Sequence, residues 1–124
     1  MHHARIPTRI LLALEGFYFA ITGVWPLVHL PSFLAVTGPK YDLWLVQTVG
    51  ALLLLIGTVM LLGAARRPSV EAIALAVGAA VLMAVIDIVF VGEHTIPPIY
   101  LLDAAAEIIL LIAWTVLGIL HLRR

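Results

Sequence analysis

Four stretches of this chain are apolar for about twenty residues or more, over roughly 8–29, 43–65, 70–91 and 97–122. A helix rises about 1.5 Å per residue, so each stretch is long enough to cross roughly 30 Å of hydrocarbon. Lipid offers backbone groups no partner, and four segments cannot close a β-barrel, so the pattern predicts helices. The expected fold is all-α: one membrane domain over 1–124, built as an integral four-transmembrane-helix bundle. Composition agrees. The chain is 64% hydrophobic and 11% charged, whereas soluble domains are about half apolar and about a quarter charged.

The basic residues set an expected orientation. Arg5, Arg9, Arg66, Arg67, Arg123 and Arg124 fall on one side of the four-span arrangement, and Lys40 falls on the other. The positive-inside rule then places both termini in the cytoplasm. The start of the chain resembles a signal peptide only superficially, because the apolar stretch after Arg9 runs on to about Leu30 without a small-residue cleavage site. Net charge is zero, which gives no electrostatic case for nucleic acid. Cysteine is absent, which excludes disulfides, thiolate metal sites and cysteine nucleophiles.

The connections carry their own signals. His29–Tyr41 contains Pro31, Gly38 and Pro39 and is expected as an interfacial loop with Phe33 and Leu34 dipping inward. Ser69 is the expected N-cap of the third helix. Pro97 and Pro98 are expected to open the fourth, where a missing N–H does no harm. The second and third helices are rich in small residues, among them Gly50, Gly57, Ala76, Gly78 and Ala80. Such residues let helices approach closely in lipid, within a bundle or a dimer.

The polar residues within the spans are few and patterned. Glu15, Tyr18, Thr22, Trp25 and His29 follow one another at spacings of 3, 4, 3 and 4, one face of the first helix. Tyr100, Asp103, Glu107, Trp114 and His121 form a second stripe on the fourth. Trp44 and Gln47 belong to the second helix and Asp87 to the third. Counting rise from the outer ends puts Trp25, Gln47, Asp87 and Asp103 about 6–9 Å down, and Tyr18 and Glu107 about 15 Å down. Glu15 is about a turn deeper. The stripes are expected to face the bundle interior.

Four acids lie in these spans, Glu15, Asp87, Asp103 and Glu107, with no Lys or Arg expected inside any of them. Each costs about 2.5–3.5 kcal/mol near a helix centre. Uncompensated carboxylates in low dielectric must hold protons, share them, face water or bind a cation. The four acids are therefore candidate catalytic groups, with Tyr18, Trp25, Trp44, Gln47, Tyr100 and His29 as candidate substrate-binding residues. Simpler readings exist for several: an interhelical hydrogen-bond seam for the first stripe, an aromatic belt for Trp25, Trp44 and Tyr100, an interfacial position for His29. Asp103 and Glu107 with Asp87 or His29 offer oxygen and nitrogen ligands. The paired Glu-x-x-His pattern of di-iron bundles and the HEXXH, P-loop and GxSxG motifs are absent, so no metal or cofactor is expected.

Arg9 before a helix carrying Gly16 and Gly23, the Pro31–Phe33 segment, and the run from Gly50 through Leu53-Leu54-Leu55 to Gly57 resemble small four-helix bacterial membrane proteins of the DoxX-like group. The resemblance covers about the first half of the chain. It implies a multi-pass protein of the bacterial inner membrane and carries no residue role.

Three functions fit these residues. The first is an intramembrane carboxylate-lined pocket that binds a lipophilic or amphipathic small molecule and transforms it by acid/base chemistry, as an isomerase, epoxide hydrolase or cyclase would. The second is a proton-coupled transporter of cationic or amphipathic compounds, working as a homodimer through Glu15. The third is an accessory subunit of a membrane complex. The nearly dry inner half below Glu15 favours the first over the second.

Overall fold

The computed structural model describes the backbone of residues 2–122 and the side chains of residues 6–120. The Arg5 and His121 side chains, and all of Arg123 and Arg124, lie outside the described residues. Five helices follow one another: α1 (His2–Val28), α2 (Leu30–Thr37), α3 (Leu43–Ala65), α4 (Val70–Gly92) and α5 (Tyr100–Leu122). Every element among the described residues is helical. Four helices are long and apolar enough to cross a membrane: Ile6–Val28, Leu43–Ala65, Val70–Gly92 and Tyr100–Leu120.

The bundle is made of two tight antiparallel pairs, α1 with α3 and α4 with α5. Glycines spaced seven apart on each partner hold the first pair. Gly16 of α1 meets Gly57 of α3, and Gly23 meets Gly50. A Cβ on Gly57 would stand 2.5 Å from the Gly16 carbonyl oxygen, and one on Gly50 would stand 2.7 Å from that of Gly23. No side chain fits there, so the backbones touch. In α4 the inward stripe is Ala72, Ala76, Ala80 and Ala84, with Asp87 completing it. Gly78 faces open space. The core is a small cluster that includes Leu11, Leu12, Phe19, Met60 and Trp114. Much of the outer face is leucine, isoleucine and valine, such as Ile10, Leu14, Leu55 and Ile109. An apolar surface this continuous suits hydrocarbon rather than water.

The ends differ from the sequence expectations in three places. His29–Tyr41 is not a plain loop, because α2 occupies most of it. Pro31 stands in the first turn of α2 and Gly38 follows its last residue, so these residues bracket a short helix. His29 caps it by accepting from the Ser32 N–H at 3.3 Å. The Trp25 indole donates to Ser32 Oγ at 2.8 Å, and its ring meets Phe33 edge-on at 5.3 Å. Gly38 has φ of 97°, a conformation glycine adopts without strain. The fourth long helix begins at Tyr100 rather than at Pro97, because Pro97–Ile99 form a turn whose carbonyls accept from Tyr100, Leu101 and Leu102. Asp103 therefore sits in the first turn of α5.

Arg9 is the third difference. It falls inside the first span, not before it. Its guanidinium donates to the Ala64 carbonyl at 2.7 Å and the Ala65 carbonyl at 3.2 Å, closing the C-terminal end of α3. A cation is favoured there by the negative end of the helix dipole. Ser69 caps α4 as expected, accepting from the Ala72 N–H at 3.0 Å.

Candidate functional site

Three helices meet at one polar cluster: α4 and α5 bring acids to it and α1 brings a tyrosine. The Tyr18 hydroxyl of α1 donates to Asp103 Oδ1 of α5. The Asp103 carboxyl is within hydrogen-bonding reach of both Asp87 on α4 and Glu107 one turn along α5. Asp87 and Glu107 are almost completely buried, at 2% and 1% exposure. Glu15, also fully buried, stands one turn before Tyr18 on α1. The Trp114 indole donates to Glu15 Oε1 at 2.9 Å. Tyr18 and Trp114 are thus the only neutral side chains seen donating to these acids among the described residues.

The donor supply is short. Glu15 Oε2, Asp87 Oδ2, Asp103 Oδ2 and Glu107 Oε1 are buried and have no donor. Carboxyl groups in mutual contact cannot all be anions, and a proton between each pair converts repulsion into a hydrogen bond. The cluster therefore buries more carboxyl oxygens than the donors it supplies. Within the cluster, Asp103 is the acid that accepts from the Tyr18 hydroxyl.

A cavity of about 510 Å³ opens beside this cluster. Its walls are apolar and aromatic, with Trp25, Phe33, Val46, Leu53 and Tyr100 prominent. Tyr18 and Asp103 contribute to the lining, while Glu15, Asp87 and Glu107 stand behind them. The cavity lies in the size range of sites for drug-sized ligands, about 300–1,000 Å³. Lys40 also lines it. Its ammonium donates to Thr37 Oγ1 at 2.9 Å, the Gly38 carbonyl at 3.1 Å and the Thr37 carbonyl at 3.3 Å. It stands over the rings of Phe33 and Tyr100, 5.4 Å and 5.2 Å from their centroids.

The expected residues separate into two groups. Tyr18, Trp25, Tyr100 and Asp103 meet at the cavity, with Asp87 and Glu107 adjoining Asp103. Glu15 belongs to a second, inner hydrogen bond with Trp114. Trp44 is 66% exposed on the outside of α3, and neither it nor Gln47 is part of the lining. His29 is exposed and is used as the cap of α2. Lys40, Phe33 and Thr37 line the cavity without being among the site residues expected from the sequence. Lys40 carried one available signal: it is the only basic residue on its side of the spans. Among the described residues no group of three or more His, Asp or Glu side chains has metal-binding geometry.

Compared with protein families, curated proteins and solved structures, the chain finds no match.

Proposed function

We propose that this chain is an integral membrane protein whose bundle holds a lipophilic small molecule in the cavity between α1, α2, α3 and α5, and acts on it by proton transfer at Asp103. One observation carries this reading: a large apolar and aromatic cavity ends on a hydrogen-bonded tyrosine–carboxyl pair with further buried acids directly behind it. A cavity that merely filled space would have no need of buried acids. An acid seam that merely joined helices would have no need of a cavity.

The chemistry follows from the arrangement. Asp103 and Tyr18 are the groups a ligand touches. Protonated Asp103 gives its proton to a carbon of a double bond or to an epoxide or carbonyl oxygen. The Asp103 carboxylate so formed takes a proton from a neighbouring carbon, so isomerisation leaves the site as it began. Asp87 and Glu107 exchange protons with Asp103 and reset it. Trp25 faces the same space, where its ring stabilises a developing positive charge. Kinship with the DoxX-like group, the bacterial inner membrane and cytoplasmic termini belong to the same proposal.

The test is a thermal-shift screen in detergent with isoprenoid alcohols, sterols and fatty acids, followed by incubation of the binders in D₂O. Wild-type protein is expected to be stabilised by a binder and to leave carbon-bound deuterium on it. Asp103→Asn is expected to bind and to leave none. Equal exchange by wild type and Asp103→Asn would remove Asp103 from the reaction. No binder in the whole panel would remove the pocket.

A further inference from the structure

The cavity has two charged residues on its lining, Asp103 and Lys40, and they are differently provided for. Asp103 has partners able to share its charge. Lys40 has none: its three donors go to two carbonyls and a hydroxyl, and no carboxylate is paired with it among the described residues. Capping the end of α2 accounts for those hydrogen bonds. It does not account for an ammonium fixed across two aromatic rings at the rim of an apolar cavity. Thr37 and Gly38 orient the nitrogen, Phe33 and Tyr100 flank it, and its positive charge is left for a group that the chain does not supply.

We infer that the ligand of this cavity is an amphipathic anion, a lipophilic carboxylate or phosphate whose acid group meets Lys40 while its apolar body runs toward Tyr18 and Asp103. This rests on the pocket reading above and specifies its substrate class. Charge fixes the direction of entry. An acid group at the floor would face Asp103 with Asp87 and Glu107 behind it, three groups that already lack donors. A cationic compound would meet Lys40 first. The reacting position is then a carbon of the apolar body remote from the acid group, placed beside Asp103.

The experiment uses cis-parinaric acid, a fluorescent polyunsaturated carboxylate, and its uncharged methyl ester. Binding to the full chain in phosphatidylcholine nanodiscs is read by energy transfer from tryptophan. Wild type is expected to bind the acid about tenfold more tightly than the ester, the usual worth of one charge-assisted contact. Lys40→Met is expected to remove that preference while keeping ester binding, which also shows that the variant folds. Lys40→Arg is expected to retain most of it. Oleic acid displacing the probe where phosphatidylglycerol does not supports a free acid as the ligand. Displacement by phosphatidylglycerol supports an anionic lipid headgroup. Equal binding of acid and ester by wild type, or equal loss of both in Lys40→Met, overturns the anion while leaving the pocket intact. Failure of both probes on wild type overturns the pocket and the anion together.

Discussion

Tyr18–Asp103 and Trp114–Glu15 are the two contacts on which the buried acids depend, and each predicts its own mutant. Replacing Trp114 by Phe leaves both oxygens of a fully buried carboxyl without a donor, a loss of about 1–3 kcal/mol. Denaturant titration in detergent should show that loss. Glu15→Leu combined with Trp114→Phe should recover much of it, because an unpaired buried polar group costs more than an apolar replacement. Unchanged stability in Trp114→Phe would mean that water or another group serves Glu15. The acids themselves were legible in the sequence, since a carboxylate inside an apolar run has no other explanation than burial or function. Their partners were not. The pairs join residues 85 and 99 apart in the chain, and helical spacing gives the face a residue occupies without saying which neighbour that face turns toward. So Trp114 was placed on the acid-bearing stripe of α5 but not against Glu15, and Trp44 was expected at a cavity that it does not reach.

The α1–α3 pair depends on glycine more than on side-chain packing. Gly57→Ala forces a methyl group against the Gly16 carbonyl and the Ala20 backbone, 2.5 Å and 2.6 Å away. Overpacking of this kind costs about 1–3 kcal/mol and should lower the unfolding midpoint accordingly. Gly78→Ala, in the same kind of helix but facing open space, should be neutral or stabilise by up to about 1 kcal/mol. Equal effects from the two changes would contradict this account of the pair. The long helices were legible because apolar length in lipid leaves one choice of structure. The short helix α2 was not. Pro31 and Gly38 break a long helix, yet at the first turn and just past the last they are the residues that begin and end a short one. The same ambiguity affected Pro97 and Pro98, which form a turn ahead of α5 and so bring Asp103 into its first turn, nearer the helix end than counting from Pro97 implied.

The polar side chains are unevenly spread along the bundle. Lys40, the cavity and Asp103 lie at one end, and Arg9, with the α3 C-terminus that it closes, lies at the other. The charge distribution predicts that the Arg9 end is cytoplasmic. The chain has no cysteine, so single cysteines report directly. Thr95→Cys in intact cells should react with a membrane-impermeant maleimide, and Glu71→Cys should react only after the membrane is opened. The reverse pattern would invert the orientation and place the cavity toward the cytoplasm. The stretch read as 43–65 coincides with α3, and the one read as 70–91 stops a residue short of the end of α4. The sequence points to a carboxylate-lined pocket but not to its full lining, which adds Phe33 and Thr37 of α2, Lys40, Val46 and Leu53 of α3 and Met83 of α4, residues far apart in the chain. The measurement that bears on it most directly is the affinity of the methyl ester of cis-parinaric acid for wild type and for Val46→Trp, a substitution that fills the cavity without touching an acid. Saturable binding by wild type, lost in Val46→Trp while its unfolding midpoint is unchanged, is the predicted result. Equal binding by both proteins would contradict it.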